Sequence, residues 1–126
     1  GPQKQRALLL LADEYFNDAS YDKAIDLYQN VLNGSRSSLH HHFANVGIAY
    51  SLEGKKDYKN AINAYKTTIQ YSNEHPLFDI YVGLARCYAL NKEKNEALLT
   101  LREMQNKFPR HSKIDLIKSK IKALGG

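Results

Sequence analysis

Apolar positions recur along the chain at helical spacing from one end to the other. Leu8, Leu11, Ala12 and Tyr15 stand three, four and seven residues apart, the spacing of one helix face. The same series of large, large, small and aromatic residues returns as Phe43, Val46, Gly47 and Tyr50, and again as Tyr81, Leu84, Ala85 and Tyr88. Between these stretches lie a second set of periodic segments, Tyr21-Asp-Lys-Ala-Ile-Asp-Leu-Tyr28 and Tyr58-Lys-Asn-Ala-Ile-Asn-Ala-Tyr65, with a weaker copy at Lys94 to Leu101. The shared alanines, Ala24, Ala61 and Ala97, are 37 and 36 residues apart. A period of that length predicts stacked helical pairs, because one pair cannot bury its apolar face alone and its neighbours complete the core.

Six helices in three pairs follow from the pattern, with breaks at Asn17 to Ser20, Asn33-Gly34, Gly54, the segment before Pro76, and Pro109. Ser20 is expected to cap the second helix, and Ser37 or Ser38 the third. Pro76 suits the first turn of the fifth helix, where its missing N–H is harmless. Gly34 is expected to supply the left-handed conformation that closes a helix. Tyr50 and Ala61 are 11 residues apart, whereas Tyr15 to Ala24 and Tyr88 to Ala97 each span 9, which reads as a two-residue insertion in a surface turn. A seventh helix over residues 112–124 sets Ile114, Ile117, Ile121 and Leu124 on one face and lysines on the other.

The chain has 126 residues, enough for one domain with a core of its own. Its 43% hydrophobic and 25% charged content is that of a globular protein. Gly1-Pro2 reads as a protease-site remnant, so the native N-terminus is expected to be missing and the domain to occupy residues 3–124. The net charge of +5 is localised: residues 1–106 carry 12 basic and 12 acidic residues, and residues 107–126 carry six basic against Asp115 alone. A nucleic-acid reading is therefore restricted to the last helix.

Candidate chemistry is sparse. His40-His41-His42 cannot converge on one ion, since neighbours on a helix point about 100° apart. Cys87 reads as a small buried residue between tyrosines, whose neighbours demand no activating cation. No phosphate-binding glycine loop, metalloprotease motif or nucleophile elbow occurs. No cofactor, metal or catalytic residue is expected, and no apolar run reaches the length of a membrane span.

With these residues at these spacings over about residues 5–111, the sequence resembles the tetratricopeptide repeat family. Three repeats are assigned to about 5–38, 39–75 and 76–111, followed by a capping helix at 112–124. The family's signature tryptophan is replaced by Leu8, Phe43 and Tyr81. The resemblance implies an all-α, right-handed α-solenoid of seven helices whose first helices line a concave groove. It also implies a non-catalytic scaffold or assembly factor that holds a peptide or helix of a partner protein there.

Taking the outward face of each first helix, the expected groove residues are Leu9, Asp13 and Phe16, then His41, Asn45, Ile48 and Leu52, then Val82, Arg86 and Leu90. The family's clamp for a chaperone C-terminal carboxylate is not expected, because its places hold Leu9, Asp13, Asn45, Asp79 and Gly83, of which Asn45 alone matches. Two alternatives stand beside the groove. One is self-association through the N-terminal helix, at Leu9, Leu10 and Phe16. The other is docking of an anionic partner on the basic patch Lys113, Lys118, Lys120 and Lys122, with nucleic acid the least favoured. The tyrosine- and lysine-rich, tryptophan-free wording resembles bacterial members, which implies a cytoplasmic or envelope setting.

Overall fold

The computed structural model describes Gly1–Gly126. It contains seven helices and no strand: α1 (Pro2–Asn17), α2 (Tyr21–Gly34), α3 (Ser38–Gly54), α4 (Tyr58–Tyr71), α5 (Phe78–Leu90), α6 (Lys94–Lys107) and α7 (Ile114–Ala123). Each helix packs on the next in sequence. In addition α1 touches α3 and α3 touches α5, while α2, α4 and α6 do not touch one another. The first helices thus form an inner row and the second helices an outer one, the arrangement of an all-α solenoid built from antiparallel pairs.

The repeat is more regular than the apolar pattern indicates. The second helices α2, α4 and α6 are each 14 residues long, and their starts lie 37 and 36 residues apart. Every turn inside a pair has three residues, and its middle residue has positive φ: Ala19 (60°), Lys56 (64°) and Lys92 (63°). Around each, the same two hydrogen bonds close the preceding helix. Ser20, Asp57 and Glu93 donate their N–H to Tyr15, Leu52 and Tyr88 carbonyls at 2.8, 2.9 and 2.8 Å, and the positive-φ residues donate to Phe16, Glu53 and Ala89. These are three copies of one Schellman closure.

The expected two-residue insertion after Tyr50 is therefore absent. With the turns superposed, the counterparts of Leu8, Leu11, Ala12 and Tyr15 in α3 are Asn45, Ile48, Ala49 and Leu52, not Phe43, Val46, Gly47 and Tyr50. Burial agrees, since Ala49 is fully enclosed, as Ala12 is, and Ala85 nearly so, while Phe43 is half exposed. Leu11 is exposed, whereas its counterparts Ile48 and Leu84 pack against the preceding pair.

Three apolar clusters follow the chain. The first joins Leu9, Ala12, Ala24, Tyr28, Val31 and Ala44; the second centres on Ala61, Tyr65, Leu84 and Ala97; the third joins Phe78, Leu101, Met104, Ile117 and Ile121. The enclosed alanines let antiparallel helices approach closely. Cap chemistry differs from expectation at three points. Ser37 does cap α3, accepting from the His40 N–H at 3.2 Å, but Ser20 makes no side-chain cap, and its backbone closes α1 instead. Pro76 precedes the first residue of α5 by two positions. Gly34 has no positive φ; it lies at the end of α2 where a Cβ would come within 2.7 Å of the Gln5 amide.

Candidate functional site

The inner row carries an apolar trough of about 590 Å³ between α1 and α3. Leu9, Leu10, Asp13 and Phe16 form one wall and Leu39, Phe43, Val46 and Tyr50 the other, over a floor of Gly47 and Tyr28. Leu10 is 61% exposed, Leu39 48% and Phe43 50%, so three large apolar side chains face solvent here. Uncovered apolar groups concentrated in one concavity mark a binding surface more often than scattered ones do.

The floor is set by glycine. A Cβ on Gly47 would lie 2.3 Å from the Tyr28 ring, and one on Gly83 would lie 2.5 Å from the Tyr65 ring. Only a bare backbone lets each tyrosine cross beneath the inner helix and bring its hydroxyl to a carboxylate of the inner row. Tyr28 donates to Asp13 Oδ1, and Tyr65 donates to Glu53 Oε1 at 2.6 Å. Burial first, and then the neighbouring carboxylate, push both phenols above their ordinary value, so each stays a neutral donor.

Glu53 also accepts from Arg86 of α5, at 2.5 Å from Nε and 2.9 Å from Nη2. Burial raises the Glu53 pKa, but the hydrogen bonds from Arg86 and Tyr65 outweigh it and hold the carboxyl below its ordinary value. This fork ties α3 to α5 on the inner surface. Beyond it lies a second, smaller cleft of about 360 Å³ between α5 and α7, which includes Val82, Arg86 and Leu90.

Of the groove residues read from sequence, Leu9, Asp13 and Phe16 lie in the trough, and Val82, Arg86 and Leu90 in the α5/α7 cleft. The α3 set lies elsewhere. Ile48 packs on the first apolar cluster and Leu52 on the second, Asn45 is half-buried outside the trough walls, and the His41 ring lies 2.6 Å from the Ser35 carbonyl. The cause is the two-residue slip in α3, which turns a helix by about 200° and exchanges its faces. Phe43, Val46 and Tyr50 occupy the places assigned to those residues. The turns Asp18-Ala19-Ser20, Lys55-Lys56-Asp57 and Asn91-Lys92-Glu93 are alike in backbone geometry but have no residue common to all three, so the slip shows in the structure and not in their sequence.

The remaining candidates are dispersed. His40 Nδ1 lies 2.9 Å from Ser35 Oγ, the His41 ring meets the Ser35 carbonyl, and the His42 ring stacks on His75 at 4.5 Å, so the three imidazoles are held at separate contacts. No group of three or more His, Cys, Asp or Glu is placed to hold a metal ion. Burial, followed by the Glu53 charge, pushes the Cys87 thiol up to about 12, leaving too little thiolate at neutral pH for a nucleophile. Lys113, Lys118, Lys120 and Lys122 are all exposed on or beside α7, with Lys118 3.6 Å from Asp115. No helix is long and apolar enough to cross a membrane.

Comparison with known proteins agrees with this architecture. The family model described as tetratricopeptide repeat matches residues 52–121, more than half of the chain. No curated protein matches the sequence. The matched region runs from the end of α3 through most of α7 and takes in two of the three Schellman turns. The chain belongs to the tetratricopeptide repeat family.

Proposed function

We propose that this chain is a non-catalytic scaffold that holds a peptide or amphipathic helix of a partner protein against its inner row, in the α1/α3 trough. The family consists in general of protein–protein interaction modules, which supports the class of function. The observation that carries the reading is the exposure of Leu10, Leu39 and Phe43 around one concavity. Covering their exposed parts contributes on the order of 1 kcal/mol each, from about 1.5–3 kcal/mol for a whole side chain. Asp13, which Tyr28 already engages, and Arg6 are the only Asp, Glu, Lys or Arg residues in the trough's lining. An apolar helix face, with anchors at i, i+3, i+4 and i+7, is the matching occupant.

Peptides selected on the full chain from a random display library provide the test. They should show apolar residues at helical spacing and lose at least about tenfold in affinity to the Leu10→Glu/Phe43→Glu double variant, with helical content unchanged. Undiminished binding to that variant would refute the trough.

A second reading rests on Leu11, exposed on α1 where Ile48 and Leu84 are covered by a preceding pair. A second copy stacked end to end would cover it. Sedimentation should then show mass rising with concentration and Leu11→Glu abolishing the rise; a monomer mass at every concentration excludes self-association.

A further inference from the structure

The α5/α7 cleft differs in chemistry from the trough. The backbones of α5 and α7 do not come into contact, and the gap between them is floored by Leu101 of α6. Leu101 stands where the earlier pairs have Tyr28 and Tyr65, 73 and 36 residues before it, so no hydroxyl reaches this part of the inner surface. Leu90, Ala123 and Leu124 complete apolar walls, and Leu90 is 49% exposed. The charged side chains of the lining are Arg86 and Lys120, both cations.

The two cations are in different states. Glu53 holds Arg86 by Nε and Nη2, which fixes the guanidinium, leaves Nη1 unengaged and offsets its charge. Lys120 belongs to none of the chain's ion pairs, which are Lys55–Asp22, His75–Glu74, Arg86–Glu53 and Lys118–Asp115. It lies in the segment that carries the whole +5 excess of the protein. A small apolar cleft whose rim offers an oriented guanidinium and an unpaired ammonium is complementary to an apolar side chain flanked by carboxylates. Its volume of about 360 Å³ sits at the low end of the range for ligand clefts, about 300–1,000 Å³, and suits a side chain better than a helix.

We infer that the α5/α7 cleft is a second binding subsite, which takes one large apolar side chain from an acidic protein segment while the adjoining carboxylates reach Lys120 and the free edge of Arg86. The inference rests on the interaction-module reading and assigns the chemistry of its C-terminal end. One partner that engages both sites is apolar where it lies on α1 and α3, and acidic around its anchor at α5 and α7.

The test is an NMR titration of the ¹⁵N-labelled full chain with the acetylated and amidated peptide Asp-Glu-Leu-Glu-Asp. Saturable shifts are expected at Ala89, Leu90 and Ala123. Affinity should fall about tenfold or more when the peptide leucine becomes alanine, and by a similar factor in the Lys120→Glu protein, whose exposed substitution leaves the core intact. Four results would overturn the subsite: no saturation at millimolar peptide; equal binding of a Lys-Lys-Leu-Lys-Lys peptide; equal binding of the alanine peptide; or the same shifts with inorganic tripolyphosphate. The trough is judged separately by the Leu10 and Phe43 variants, so either site can fail without the other.

Discussion

Gly47 and Gly83 act through the side chain they lack. Each lies over the ring of a buried tyrosine, and each allows that tyrosine to hydrogen-bond a carboxylate on the inner surface. Gly47→Ala forces a Cβ to 2.3 Å from a Tyr28 ring that is only 2% exposed. A loss of about 1–3 kcal/mol is expected, read as a lower urea midpoint, and an unchanged midpoint would contradict the close approach. His42 supplies a pH dependence at the same scale. Burial, and then the His75 ring stacked on it, lower its pKa from the ordinary 6.5, with His75 in turn beside Ser38 and Glu74. The unfolded chain therefore takes up this proton first, so the contribution is complete above pH 6.5 and is lost as pH falls through 6.5 toward the folded value. Urea midpoints from pH 7.5 to 5.5 should decline less in His42→Phe than in the parent; identical slopes would remove His42 from the account. In the sequence, Gly47 was legible as a small residue on a packed helix. The ring beneath it was not, nor was the Glu53–Arg86 fork between residues 33 apart, because both depend on how the pairs stack.

At the scale of helices and turns, existence and order were legible because each helix is amphipathic and the alanines mark the period. The facing of α3 was not. Phe43, Val46, Gly47 and Tyr50 and the set two places on, Asn45, Ile48, Ala49 and Leu52, have the same spacing, and apolar periodicity alone favours the more aromatic one. Turn geometry decides between them, since three residues with a central positive φ recur in every pair. None of those central residues is glycine, so each holds a conformation that costs an L-residue about 1–2 kcal/mol. Lys56→Gly should accordingly raise stability by about 0.5–1 kcal/mol, allowing for the greater freedom glycine has in the unfolded chain. A lower melting temperature for this variant would show that Lys56 contributes something besides its backbone.

Across the whole molecule, the inner row divides into an apolar trough at the N-terminal end and a cation-flanked cleft at the C-terminal end, joined by the Glu53–Arg86–Tyr65 fork. The charge excess falls on α7 and its flanks, so the molecule is electrically lopsided along its length. Added salt should weaken ligands of the cleft much more than ligands of the trough. The division depends on the register of α3, which decides whether the trough is walled by Phe43 and Tyr50 or by Ile48 and Leu52. The most direct measurement compares Phe43→Glu with Ile48→Glu in the full chain, following thermal unfolding and affinity for a trough-selected peptide together. Phe43→Glu should keep the parent melting temperature within a few degrees and lose peptide binding, while Ile48→Glu should lower the melting temperature steeply by placing a charge against the first apolar cluster. A folded Ile48→Glu protein that has lost binding, beside a Phe43→Glu protein that binds normally, would contradict the account.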